Sequence, residues 1–254
     1  MYIRNEYDLG RIIQVEHYYP GNYGAPGKPR QPKRKITPDD IERQNRTNRE
    51  KKIQRLILAN FDIGDWHLIL KYKPGERPET YERAKKNLKN FLDRLRKVYK
   101  KKGYQLKFIA VTERGKKGQA LHHHIIIEDI HTKDLNTVNL IKKMWRGFKT
   151  FIDLYEDGEF ENLADYIVKI ESKEEEEKGK ATYSRSRNLI IPKPKRKKLM
   201  RKRWPEDPKP KKGYVIIKSS VYNGINPVTG YPYQHYSMKR IEKVQKKDPG
   251  GGSG

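Results

Sequence analysis

The stretch Leu121-His122-His123-His124-Ile125-Ile126-Ile127-Glu128 constrains this chain more than any other. Three consecutive isoleucines argue for a buried central strand. Side chains alternate along a strand, so His122 and His124 project from one face with ~7 Å between their Cα atoms, while His123 points the other way. Imidazole is the commonest protein metal ligand, and two on one strand hold a divalent ion if a third group comes from the neighbouring strand. Glu113, near the end of the preceding apolar run, is placed to be that group. The plain alternative is a polar strand end with no ligand. Idle imidazoles in a buried strand would be costly, which weighs against it.

The rest of the chain narrows the class. Its 254 residues suffice for one generous domain or two small ones. It contains no cysteine, which removes disulfides, zinc ribbons, iron–sulfur clusters and cysteine nucleophiles. No apolar run approaches a membrane span and the N-terminus has no signal-peptide layout, so a cytoplasmic location and no membrane partner are expected. Lysine and arginine number 58 against 32 acids, a formal charge of +26. Such an excess repels itself without a polyanion nearby, and nucleic acid is the favoured partner. Tyrosine, 17 residues, is the type that stacks on bases while its hydroxyl stays wet. No phosphate-binding loop of the G-x-x-x-x-G-K-[ST] kind is present, so ATP-driven chemistry is not expected.

Read in order, residues 11–16 form a strand, and residues 18–38, rich in Pro, Gly and Lys, an arm or linker. Thr37-Pro38-Asp39-Asp40 opens a polar helix running to about Asn60. A strand over 66–72 precedes a long helix, 80–102, with Leu88, Phe91, Leu92, Leu95 and Val98 on one face and Gly103 as its stop. Strands 106–112 and 122–128 make a hairpin through the turn at 114–118. A helix over 134–145, a strand over 148–154 and a helix over 161–177 complete a β-α-β-β-α-β-α order. The expected fold class is α+β: a central antiparallel sheet with helices packed on one face. The division follows as an N-terminal strand and basic arm at 1–40, a central domain at 41–190, and a basic extension with a terminal strand, 214–217, at 191–249. The tail at 250–254 reads as a linker or tag.

The helix over 161–177 carries a second element, Asp165-Tyr166-Ile167-Val168-Lys169. Tyr166 and Lys169, three apart, share a face, close enough for an ammonium to sit by a phenol oxygen or its phosphate ester. A phenol with a pKa of about 10 is a poor nucleophile at neutral pH unless cations stabilise the phenolate or the charge developing on phosphate. Tyr-x-x-Lys arises by chance in many helices. Its place after the histidine strand gives it weight.

Three motifs in order make the chain similar to the HUH endonucleases, in particular single-tyrosine rolling-circle replication initiators of plasmid or phage type. Trp66-His67-Leu68-Ile69-Leu70-Lys71-Tyr72 resembles the first, structural strand of that family. His122-x-His124 followed by aliphatics resembles its histidine motif, and Tyr166-x-x-Lys169 its nucleophile motif. The middle of the histidine motif, usually a bulky hydrophobe, is His123 here, and a register with His123 and Ile125 as the paired positions stays as the alternative. The resemblance covers roughly residues 60–190 and implies a ferredoxin-like, RRM-related sheet. It implies Mg²⁺ or Mn²⁺ on Glu113, His122 and His124, Tyr166 and Lys169 as catalytic residues, and a 5′-phosphotyrosine intermediate. Single-stranded DNA at a replication origin is the implied substrate. A host helicase and polymerase are the implied partners, with the protein itself a monomer or weak dimer. His67, a lone strand histidine, reads as packing or DNA-facing.

Arg185 and Arg187, with Lys195, Arg196, Lys197, Lys198 and Arg201 on a flexible basic segment, are expected to contact phosphates without reading base edges. A non-enzymatic basic DNA or RNA binder and a hydrolytic metal nuclease remain the competing readings. A relaxase or transposase role would use the same tyrosine chemistry.

Overall fold

The computed structural model describes residues 1–20, 37–115, 120–154, 183–226 and 229–241. The helix expected over 161–177, with Tyr166 and Lys169, lies outside the described residues, as does Tyr155. The fold is α+β with two antiparallel five-stranded sheets and, among the described residues, three helices. The chain divides into two compact units: residues 38–192, and residues 1–37 together with 193–254.

In the unit of residues 38–192, helix α1 (Pro38–Leu58) is followed by β3 (Trp66–Lys71), α2 (Tyr81–Lys101), β4 (Phe108–Arg114), β5 (Leu121–Ile127), α3 (Thr137–Met144), β6 (Phe148–Asp153) and β7 (Tyr183–Arg185). The sheet runs β6-β3-β5-β4-β7 with every neighbour antiparallel. Helix α2 forms where apolar residues recur at helical spacing. It buries Ala84, Leu88, Phe91, Leu92, Leu95 and Tyr99, which share a core with Leu68, Leu70, Ala110, Ile125 and Ile127 from one face of the sheet and with Ile141 and Trp145. Thr80 caps its N-terminus, accepting from the Arg83 N–H. Gly103, at φ 81°, ends it in the left-handed conformation. Helix α1 is polar over most of its length and buries only its last turns, Ile53 to Leu58.

Asp65 ties the two strand ends together. Its carboxylate accepts from the Asp62 N–H and the Asp129 N–H, both at 2.8 Å, and its carbonyl from Leu154 N–H at 3.1 Å. The start of β3 and the chain just past β5 and β6 therefore hang on one residue.

The second unit is a sheet ordered β8-β1-β2-β10-β9, from β1 (Tyr2–Asp8), β2 (Ile12–Tyr18), β8 (Lys195–Leu199), β9 (Tyr214–Ile225) and β10 (Pro232–Arg240). The two chain ends, separate flanks by sequence, thus lie side by side. Buried Gln234 links three strands and a loop. Its Oε1 accepts from His17 Nδ1–H at 2.8 Å, and its amide donates to Asn223, Pro205 and Glu206. The segment expected to be flexible is an edge strand: Lys195 to Lys198 pair with Glu6 to Ile3 of β1. Backbone pairing holds it extended, and alternation sends Lys195 and Lys197 to one face and Arg196 and Lys198 to the other. Strands β1 and β10 carry mixed polar sequences without clean alternation. Their pairing with sequence-distant partners makes them strands.

Candidate metal centre

Strand register assembles the site. Glu113 of β4 stands directly opposite His122 of β5, and Val111 opposite His124. The period of two then places Glu113, His122 and His124 on one face and His123 on the other. The Glu113 Oε2 lies 3.4 Å from His122 Nε2 and 3.4 Å from His124 Nε2, and one ligand atom from each of the three falls within 4.8 Å of the others. The alternative pairing through His123 and Ile125 has no such convergence.

The hydrogen positions say what the three atoms face. His122 Nδ1 sits 3.3 Å from the Ala120 carbonyl, which can only accept, so the proton is on Nδ1. His124 Nδ1 is 3.1 Å from His67 Nε2. With both Nδ1 atoms turned back into the protein as donors, both Nε2 lone pairs point at a carboxylate oxygen. At 3.4 Å these contacts are long for hydrogen bonds. Two donors each about 2.1 Å from one ion, at tetrahedral to octahedral angles, lie about 3.0–3.4 Å apart, so the spacing suits a shared cation. A nitrogen, nitrogen, oxygen donor set fits Mn²⁺, Mg²⁺ or Zn²⁺. The side chains are 15% (His122), 6% (His124) and 16% (Glu113) exposed, which screens the donors from bulk water and leaves one side open.

Burial pushes the His124 imidazole below its ordinary pKa, with His122 and the Lys71 ammonium acting in the same direction and Glu113 against. His67 is pushed down to about 4, by burial first and then by His124, and is neutral at physiological pH. It orients His124 by holding its Nδ1, the usual arrangement behind a metal-bound histidine. The reading of His67 as packing or DNA-facing is thereby replaced. What could have pointed to it is a second histidine in the strand next to the histidine motif, but only strand order makes the two neighbours.

His123 is wholly buried on the helix-covered face. Its Nε2 is 2.7 Å from the Tyr72 hydroxyl and its Nδ1 2.9 Å from Thr112 Oγ1, so a neutral imidazole takes one hydrogen bond and gives the other. Burial pushes it down to about 3.

Residues 65–175 match a family of replication-associated proteins, the ORF2 type. The match begins at the Asp65 clamp, takes in all three donors and extends through Tyr166 and Lys169. No curated protein and no solved structure matches the chain.

The remaining candidates are dispersed. Arg185 is on β7, paired with Ile109, and Arg187 follows it, both exposed. Lys195, Arg196, Lys197 and Lys198 are on β8 of the other unit, with Arg201 exposed just beyond it. No helix among the described residues is long and apolar enough to cross a membrane.

Proposed function

We propose that this protein nicks and rejoins single-stranded DNA at a replication origin through a tyrosine nucleophile, and so initiates rolling-circle replication. One observation carries the reading: an N, N, O donor trio with both histidines in the metal-binding tautomer, inside the segment that matches a replication-associated family. The sheet order β6-β3-β5-β4, with α2 and α3 as crossovers, supports assigning residues 41–190 to a ferredoxin-like HUH endonuclease domain.

Glu113, His122 and His124 would hold Mn²⁺ or Mg²⁺, which when bound polarises a non-bridging oxygen of the scissile phosphate. The protein's own residues do the rest. The Tyr166 phenolate oxygen bonds to phosphorus, the bond from phosphorus to the 3′-oxygen breaks, and that oxygen leaves with a proton as a 3′-hydroxyl. Lys169, one helical turn on, stabilises the phenolate and the charge on the phosphate. A phosphodiester is exchanged for another of similar energy, so a free 3′-hydroxyl reverses the step without ATP. His67 keeps His124 in its ligating tautomer. The cations of β7 and β8 hold the backbone.

The test is covalent capture. Protein incubated with single-stranded origin oligonucleotide and Mn²⁺ should give a denaturation-resistant adduct of one oligonucleotide per polypeptide, mapping to Tyr166. Cleavage without adduct would make the protein a hydrolytic nuclease. Salt-sensitive binding with no scission would make it a non-enzymatic binder. Two adducts on one chain, at Tyr155 and Tyr166, would refute the single-nucleophile scheme, in which a second cut needs a fresh subunit.

A further inference from the structure

The face that bears the donor trio does not stop at β5. Register carries its row onward: Glu113 stands opposite His122, His122 opposite Lys71 of β3, and Lys71 opposite Phe148 of β6. Directly opposed residues share a face, so a phenyl ring lies two strand spacings, about 10 Å, from His122. The next rows add Ile69 with Thr150, and His67 with Ile152.

The β4 and β5 half of this face is closed, with Ile109, Val111 and Ile126 buried. The β6 half is open. Phe148 is 60% exposed, and Thr150 and Ile152 are exposed behind it at alternate positions. A single exposed apolar residue needs no explanation. This one is held in place by its neighbours. The Trp145 indole N–H donates to the Lys71 carbonyl at 3.0 Å, and Gly147 lies so close to that carbonyl that an added Cβ would stand 1.9 Å from its oxygen. Only glycine permits that approach, and it fixes the start of β6 against the residue next to the metal row. Neither β3 nor β6 puts a carboxylate on this face, whereas Lys71 supplies an ammonium.

A fixed, exposed aromatic ring with a cation beside it and no acid among its neighbours suits a nucleobase with its phosphate. We propose that the open β3 and β6 half of this face is the track for the single strand adjoining the scissile phosphate, with Phe148 stacking a base and Lys71 contacting the backbone. The inference rests on the nicking reading, since only that makes the strand run past the donor trio.

Binding in EDTA tests it apart from the chemistry. The probe is dT20 with every fourth base replaced by 2-aminopurine, read by anisotropy and by stacking quench. Wild type should quench the probe. Phe148→Ala should weaken binding about ten- to hundredfold and abolish the quench. Phe148→Trp should restore both, and Phe148→Leu, apolar but without a π face, should not. Mn²⁺ affinity of Phe148→Ala by calorimetry should match wild type, and circular dichroism should report an intact fold. No quench with wild type, or wild-type binding and quench in Phe148→Ala, would overturn the track. Adduct formation by a wild type that fails the quench test would sink the track alone, whereas absence of any adduct would sink the nicking reading whatever Phe148 does.

Discussion

Asp65→Asn should change the pH dependence of stability in a direction that simple hydrogen-bond counting gets wrong. Asp65 is only 8% exposed, and two backbone N–H groups donate to its carboxylate, which by itself would hold it ionised. Burial outweighs them, and Glu128 and Asp129 add to it, so its pKa is raised from 3.8 to about 6. In the unfolded chain the group is ionised above about pH 4. Between about pH 4 and pH 6 the folded state therefore binds more protons than the unfolded state, and wild-type stability falls as pH rises through that window. At about 1.4 kcal/mol per pH unit per proton, the loss is on the order of 3 kcal/mol by pH 7. Asparagine does not titrate. It also loses one acceptor and sets an amide N–H against a backbone N–H, which costs about 1–3 kcal/mol at all pH values. The variant should consequently be clearly less stable than wild type at pH 4 and close to it at pH 7. Urea unfolding of both proteins at half-unit pH intervals measures the difference directly. A gap that widens with pH would mean that the two N–H donors win and that the carboxylate is ionised in the folded state.

His123→Ala should destabilise the fold by about 2–4 kcal/mol in urea melts, since it opens a cavity and leaves the Tyr72 and Thr112 hydroxyls buried without their partner, while Mn²⁺ affinity by calorimetry stays near wild type. His67→Phe should lower Mn²⁺ affinity about 10–100-fold by freeing the His124 Nδ1; unchanged affinity would make His67 a packing residue. Tyr166→Phe should keep oligonucleotide binding and lose the covalent adduct in a denaturing gel, and an adduct persisting in that variant would move the nucleophile, with Tyr155 first in line. Neutralising Lys195, Arg196, Lys197 and Lys198 together should weaken binding to all sequences alike and flatten the dependence of log K on log salt by up to about 0.7 per lost single-strand phosphate contact; altered sequence preference at an unchanged slope would contradict this.

How much of this was legible in the sequence depended on range. The donor trio was accessible because strand alternation is local. His122 and His124 share a face in any strand, and a short hairpin leaves Glu113 few places other than opposite them. Helix α2 was accessible for the same reason, from apolar spacing and the Thr80 and Gly103 signals within one segment. The sheet of the other unit was not. Strands β1 and β10 are strands because residues more than two hundred positions apart pair, as Tyr18 does with Tyr233, and nothing local marks them. The roles of His67 and Phe148 fall in the same class. Each is ordinary in its own strand, and each gains its meaning only when β3 is inserted between β5 and β6. The chemistry-bearing residues that a motif names are therefore the ones within a hairpin of each other. Those that orient the ligand or face the strand beside it come from β3 and β6, and it is the crossover helices α2 and α3 that bring these strands alongside.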